Sequence, residues 1–120
     1  MAVARIIRRL KRQALLERLI RQVHEEDERK EDPHFLFRLA GTGSSYLQQR
    51  RWNVPHYYGT QDTEKLFDEF RQQIAEFADS QAEEDEMIAQ FTVMVMQAAF
   101  QYFHIALSEE ELEQILPASS

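Results

Sequence analysis

An all-α fold is what this sequence predicts, and three observations carry the prediction. Gly and Pro number only three each in 120 residues, so few positions demand a turn or forbid a helix. Gln, Glu, Arg, Leu and Ala abound, and these residues lose little backbone or rotamer freedom on coiling. Apolar residues also recur at three- and four-residue spacing through most of the chain. With 43% apolar residues, the length suffices for one core and falls short of two. The expectation is therefore a single domain over 1–120, a compact bundle of four main helices plus a short C-terminal one. A long apolar helix, about 81–107, lies at its centre.

The first helix is expected over about 3–24. At 100° per residue, Val3, Ile6, Ile7, Leu10 and Ala14 share one side, whereas Leu16, Leu19, Ile20 and Val23 lie nearly opposite. No Gly or Pro intervenes, so the helix reads as continuous, with its two halves buried against different things. One half faces the protein's own core and the other is free to meet a second chain. Glu25–Asp32 reads as a charged linker.

Asp32-Pro33 reads as a helix start, with Asp as N-cap and Pro in the first helical position, where its missing N–H costs nothing. The second helix carries Phe35, Leu36, Leu39, Ala40, Gly43 and Leu47 on its apolar face. Gly41 and Gly43 cost it about 2 kcal/mol of helix propensity relative to Ala. Either this helix ends near Ala40 or its small residues serve a close helix contact. Residues of about 50–61, with Pro55 and Gly59, form an aromatic loop. Leu66, Phe67, Phe70, Ile74, Phe77 and Ala78 then mark an amphipathic helix from Thr63 to about Ala78, with Asp62 as its cap. Ser80-Gln81-Ala82-Glu83 matches a capping box and opens the central helix. Ser108-Glu109-Glu110-Glu111 repeats that signature before a short helix with Leu112, Ile115 and Leu116, and 117–120 form a loose tail.

Charge is divided end to end. Residues 1–60 carry 12 Lys/Arg against 7 Asp/Glu, and residues 61–120 carry 2 against 14, which sets +5 against −12 within a net charge of −7. Such a division suits self-association, an internal contact between the halves, or two charged partners. Without cysteine, disulfides and thiolate metal sites are excluded and a cytoplasmic location is the default. The basic N-terminus lacks the features of a secretory signal. Phe91–Leu107 is too short and too often interrupted by polar residues to span a bilayer, so no membrane partner is expected. His24, His34, His56 and His104 lack ligand spacing, and neither a metal nor a cofactor is implied. Met87, Met94 and Met96 read as core filling.

Two segments stand out as candidate binding surfaces. The basic first helix presents Arg5, Arg8, Arg9, Lys11 and Arg12 beside the apolar Ile6, Ile7 and Leu10, a surface that could meet the acidic half of a protein or track a phosphate backbone. The loop combines Arg50, Arg51, Trp52, His56, Tyr57 and Tyr58, a composition enriched at recognition sites and equally suited to covering a core.

Arg51 and His56 form an R-x4-H pattern that resembles the signature of HEPN-type ribonucleases, a helical family in which those residues cut RNA. The resemblance covers six residues, with Trp52 where the family carries a polar residue. Phe37-Arg38-Leu39-Ala40-Gly41-Thr42-Gly43-Ser44-Ser45-Tyr46 resembles the phosphorylation segment of histidine phosphotransfer domains, which are also small helical bundles. Phe37 occupies the phosphoacceptor position and has no nucleophilic nitrogen, so that resemblance implies an inactive docking module. A tight helix crossing explains the same string.

The function expected is a non-enzymatic helical adaptor or small subunit that assembles with itself or within a larger protein complex through the basic helix and the aromatic loop. Contact with nucleic acid in a ribonucleoprotein or DNA complex is the alternative. A HEPN-like ribonuclease using Arg51 and His56 comes third.

Overall fold

The computed structural model describes residues 2–32, 34–54 and 63–102. Four helices lie among them: α1 (Ala2–Lys30), α2 (Phe35–Gln49), α3 (Glu64–Phe77) and α4 (Gln81–Tyr102). The all-α bundle is as expected, and no strand occurs among the described residues. The short C-terminal helix and the end of the central helix fall outside them.

The bundle is organised around α4. Met87, Ile88, Phe91, Val95, Met96 and Ala99 are buried and occupy about half of the helix circumference, so α4 needs cover on several sides. The α2 helix supplies most of it and runs antiparallel to α4. Phe37 meets Phe100 edge-on with ring centroids 5.7 Å apart, Gly43 lies against Thr92, and Arg50 ion-pairs with the buried Asp85 at 3.1 Å. The α3 helix runs alongside α2: a hydrogen bond of 2.6 Å joins the Thr42 and Thr63 hydroxyls, and Tyr46 packs on Phe67. Phe70 of α3 packs on Phe91 of α4. Finally, α1 lies along α4 in the same direction, so α1 and α4 point one way and α2 and α3 the other. Parallel neighbours cannot be joined by a tight turn. That is why the α2–α3 connection is the long one.

Gly41 and Gly43 do not end α2. A Cβ built on Gly43 would lie 2.2 Å from Thr92 Oγ1 and 3.1 Å from Thr92 Cβ, so the missing side chain is what lets the two helices meet. The helix ends in a Schellman turn: Trp52 N–H donates to Leu47 O at 2.9 Å and Arg51 N–H to Gln48 O at 3.0 Å, with Arg51 in the left-handed region at φ 67°.

Three expectations need correction. The first helix does not stop near residue 24. It continues through the segment read as a linker, because Glu25–Lys30 are sound helix formers, Glu26 and Arg29 ion-pair one turn apart, and Arg29 and Lys30 in the last turn suit the negative helix end. Secondly, α2 starts at Phe35, later than Asp32-Pro33 suggests. Asp32 still receives the chain there, its carboxylate accepting His34 N–H at 2.9 Å and its carbonyl accepting Phe35 N–H at 3.1 Å. Thirdly, the capping box at Ser80 is shifted by one partner. The Ser80 hydroxyl accepts Glu83 N–H at 3.1 Å as expected, but the Glu83 carboxylate accepts the N–H of Asp79 at 2.8 Å.

The Gly43 contact generates a quantitative expectation. Gly43→Ala should destabilise the bundle by about 1–2 kcal/mol, overpacking against Thr92 outweighing the gain in helix propensity. Thr92→Ala in the same chain should recover most of that loss in a double-mutant cycle read by chemical denaturation. Additive losses would show that the two sites do not touch.

Candidate interaction surface

The two halves of α1 face opposite directions, as the shift in its apolar stripe anticipates. Leu15, Leu16, Leu19 and Val23 are buried in the core, while Val3, Ile6, Ile7 and Leu10 are 67%, 55%, 48% and 64% exposed. These four are the large apolar side chains left exposed among the described residues. They form one contiguous stripe, extended at its inner end by the exposed Ala14. Isolated exposed apolar residues are ordinary, whereas a stripe of this kind marks a surface that something covers.

What turns the stripe outward is the pair of arginines on the other side of the same helix. Arg8 sits at the corner where α3 passes into α4. Its guanidinium lies over the Phe77 ring, 4.4 Å from the centroid, donates to the Phe77 carbonyl at 3.2 Å, and ion-pairs with Asp79 at 3.2 Å and with Glu83. The carbonyl it caps is the last of α3, where a cation is favoured. One turn on, Arg12 donates to Gln90 Oε1 at 2.9 Å and stands 3.7 Å from both Glu83 and Glu86. The helix is thus held to α4 by charge where it is held by apolar packing further along. Residues 2–7, N-terminal to this anchor, are exposed on all sides and form an arm past the α3–α4 corner.

The Glu83 carboxyl is the centre of the anchor. The Asp79 N–H it accepts, together with the neighbouring guanidiniums of Arg8 and Arg12, holds it below the usual carboxylate range against the opposing effect of partial burial. Its protonation would remove the one carboxylate that both arginines share.

Charge is uneven around the stripe. No acidic residue occurs from 1 to 16. Lys11 borders one edge of the stripe and Arg9 the other, and both are exposed. Arg5 and Arg9, with Arg8, Arg12, Gln13, Glu83 and Gln90, line an open groove of about 590 Å³ between α1 and α4.

The sequence-predicted residues therefore divide. Ile6, Ile7 and Leu10, flanked by Arg9 and Lys11, lie together on an open surface, while Arg8 and Arg12 serve the fold from the opposite side of the helix and the exposed Arg5 lines the same groove as they do. In the aromatic segment, Arg50 is exposed and paired with Asp85, and Trp52 packs half-buried against the core as cover. Arg51 is exposed and does not share the stripe. His56, Tyr57 and Tyr58 lie outside the described residues, and with them the R-x4-H pairing of Arg51 and His56. Sequence reading missed Phe77, Asp79, Glu83 and Glu86 as the counterpart of Arg8 and Arg12. The signal lay in the acidic run 83–86, whose Glu83 and Glu86 meet these arginines only once α4 is placed beside α1.

Comparisons with known protein families, curated proteins and solved structures find no match for this chain. The functional reading accordingly rests on the chemistry of the surface itself.

Because Glu83 is held ionised below the ordinary carboxylate range, its contribution is present at neutral pH and is lost as pH falls through that range. Glu83→Gln should lower the midpoint of thermal unfolding at pH 7 by a few degrees, the equivalent of about 1 kcal/mol for a partly screened anchor. The gap to the unaltered protein should close as pH drops below 4. An unchanged gap across that interval would remove Glu83 from this role.

Proposed function

We propose that this chain is a non-enzymatic helical assembly subunit that binds protein through the outward stripe of α1, a second copy of the chain being the first partner to consider. The observation that carries the reading is the contiguous exposure of Val3, Ile6, Ile7 and Leu10 on a helix that Arg8 and Arg12 anchor to the bundle from its opposite side. Burying four such side chains supplies the apolar core that stable protein interfaces share, with Arg9 and Lys11 as a polar rim. Arg8 and Arg12 lie against carboxylates, which removes two of the five cations that a phosphate-tracking helix would need. This weighs against nucleic acid as the main partner.

Light scattering on the purified chain tests the reading, at low and high salt and with nuclease treatment. The expected mass exceeds the 14.3 kDa of one chain, withstands salt and nuclease, and falls to that of one chain in Ile7→Glu. A mass of one chain throughout, unaltered by Ile7→Glu, would overturn the proposal. Loss of the larger species with nuclease would transfer support to the nucleic-acid alternative.

A further inference from the structure

The chain carries its own candidate for the occupant of the α1 stripe. Residues 108–116, Ser-Glu-Glu-Glu-Leu-Glu-Gln-Ile-Leu, place Leu112, Ile115 and Leu116 within about 100° of one helical face. That width equals the arc spanned by Val3, Ile6, Ile7 and Leu10. On the helix that the sequence predicts there, Glu109 and Glu113 would border one edge of this apolar face and Glu111 the other. The α1 stripe has Lys11 on one edge and Arg9, followed by Arg5, on the other. Each surface is therefore an apolar strip with charged margins, and the two sets of margins have opposite sign.

Starting from the proposed assembly role, we infer that the acidic segment 108–116 of one copy docks on the outward stripe of α1 in a second copy, each chain giving its tail to the other. Two arguments select this occupant. The first is charge. Stripe against stripe would bring together two surfaces each bordered by Arg9 and Lys11, with no anion between residues 1 and 16 to offset them, and such like-charge contact is unfavourable. The tail holds four glutamates and no cation between 108 and 116, which removes the repulsion and replaces it with attraction across both margins.

The second is reach. Arg8 lies level with Glu83 near the start of α4, and the described chain leaves α4 at Tyr102, about 28 Å further along the bundle at 1.5 Å per residue. Residues 103–111 span about 30 Å at full extension. That length is consumed in returning to the level of Arg8, while Val3, Ile6 and Ile7 lie beyond it, on the far side of a helix about 10 Å across. A second copy meets no such limit. Reciprocal exchange of tails closes the assembly as a two-fold dimer, because each copy offers one stripe and one tail.

Mixing two full-length variants tests this. Ile7→Glu disables the stripe and leaves the tail, and Leu112→Glu disables the tail and leaves the stripe. Each alone should scatter as a single chain, and an equimolar mixture should recover a dimer containing one copy of each, held by one of the two contacts. Recovery also shows that both variants are folded. A Leu112→Glu protein that stays assembled while Ile7→Glu does not would overturn the tail as occupant and leave the stripe as an interface. A mixture that remains single-chain would likewise overturn the tail. If Ile7→Glu assembles as the unaltered chain does, both the tail docking and the assembly role of the stripe fail.

Discussion

The close approach of α2 to α4 at Gly43 and Thr92 is the contact on which the remaining structure depends. Two helices that each bury a broad apolar face can approach only as near as their bulkiest facing side chains allow. Gly43 has none, and Thr92 turns its hydroxyl to its own helix, donating to the Ile88 carbonyl at 2.8 Å. With α2 seated, Phe37 and Phe100 at one end and Arg50 and Asp85 at the other fix its direction along α4. The faces of α4 that α2 leaves open are then covered by α3 through Phe70 and by α1 through Leu15, Leu16, Leu19 and Val23. Three helices thus cover one, and the apolar demand of the chain is met by the inner half of α1.

That leaves the outer half of α1 with no core to join, and its orientation is decided by charge. Arg8 joins three groups that need a cation: the last carbonyl of α3, Asp79 in the turn, and Glu83 in the first turn of α4. Arg12 extends the same contact along α4. Because Arg8 and Arg12 face inward at helical spacing, Val3, Ile6, Ile7 and Leu10 on the same helix must face outward. The exposed stripe follows directly from the internal ion pairs, and the end-to-end division of charge serves the fold before it serves any partner.

Much of this was legible in the sequence where local chemistry and periodicity agree. The boundaries of α3, Glu64 and Phe77, lie within a residue of the Thr63–Ala78 span read from its apolar pattern, and the jump of the stripe near Ala14 foretold a continuous α1 with two differently used faces. Other features depended on tertiary neighbours. Residues 25–30 have no apolar periodicity and so resemble a linker, yet Glu26 pairs with Arg29 and the Lys30 ammonium lies 5.5 Å from the centre of the Phe35 ring. Gly41 and Gly43 left two outcomes open until Thr92 was placed against them. The basic surface read as one unit over Arg5–Arg12 is two surfaces, because which arginines meet carboxylates depends on where α4 begins relative to α1. Arg50 and Trp52 had the composition of a recognition loop, and their neighbours give Arg50 an ion pair with Asp85 and make Trp52 cover for the core.

The functional account reduces to one physical claim, that the outward stripe of α1 is covered in the assembled protein. Isoleucine methyl resonances followed through a dilution series of the full chain test it most directly, since each residue reports its own surroundings. The account predicts that Ile6 and Ile7 shift with concentration, accompanied by Ile115 of the tail, while Ile74 and Ile88, buried in the core, stay fixed. Resonances of Ile6 and Ile7 that hold one position at every concentration would contradict it.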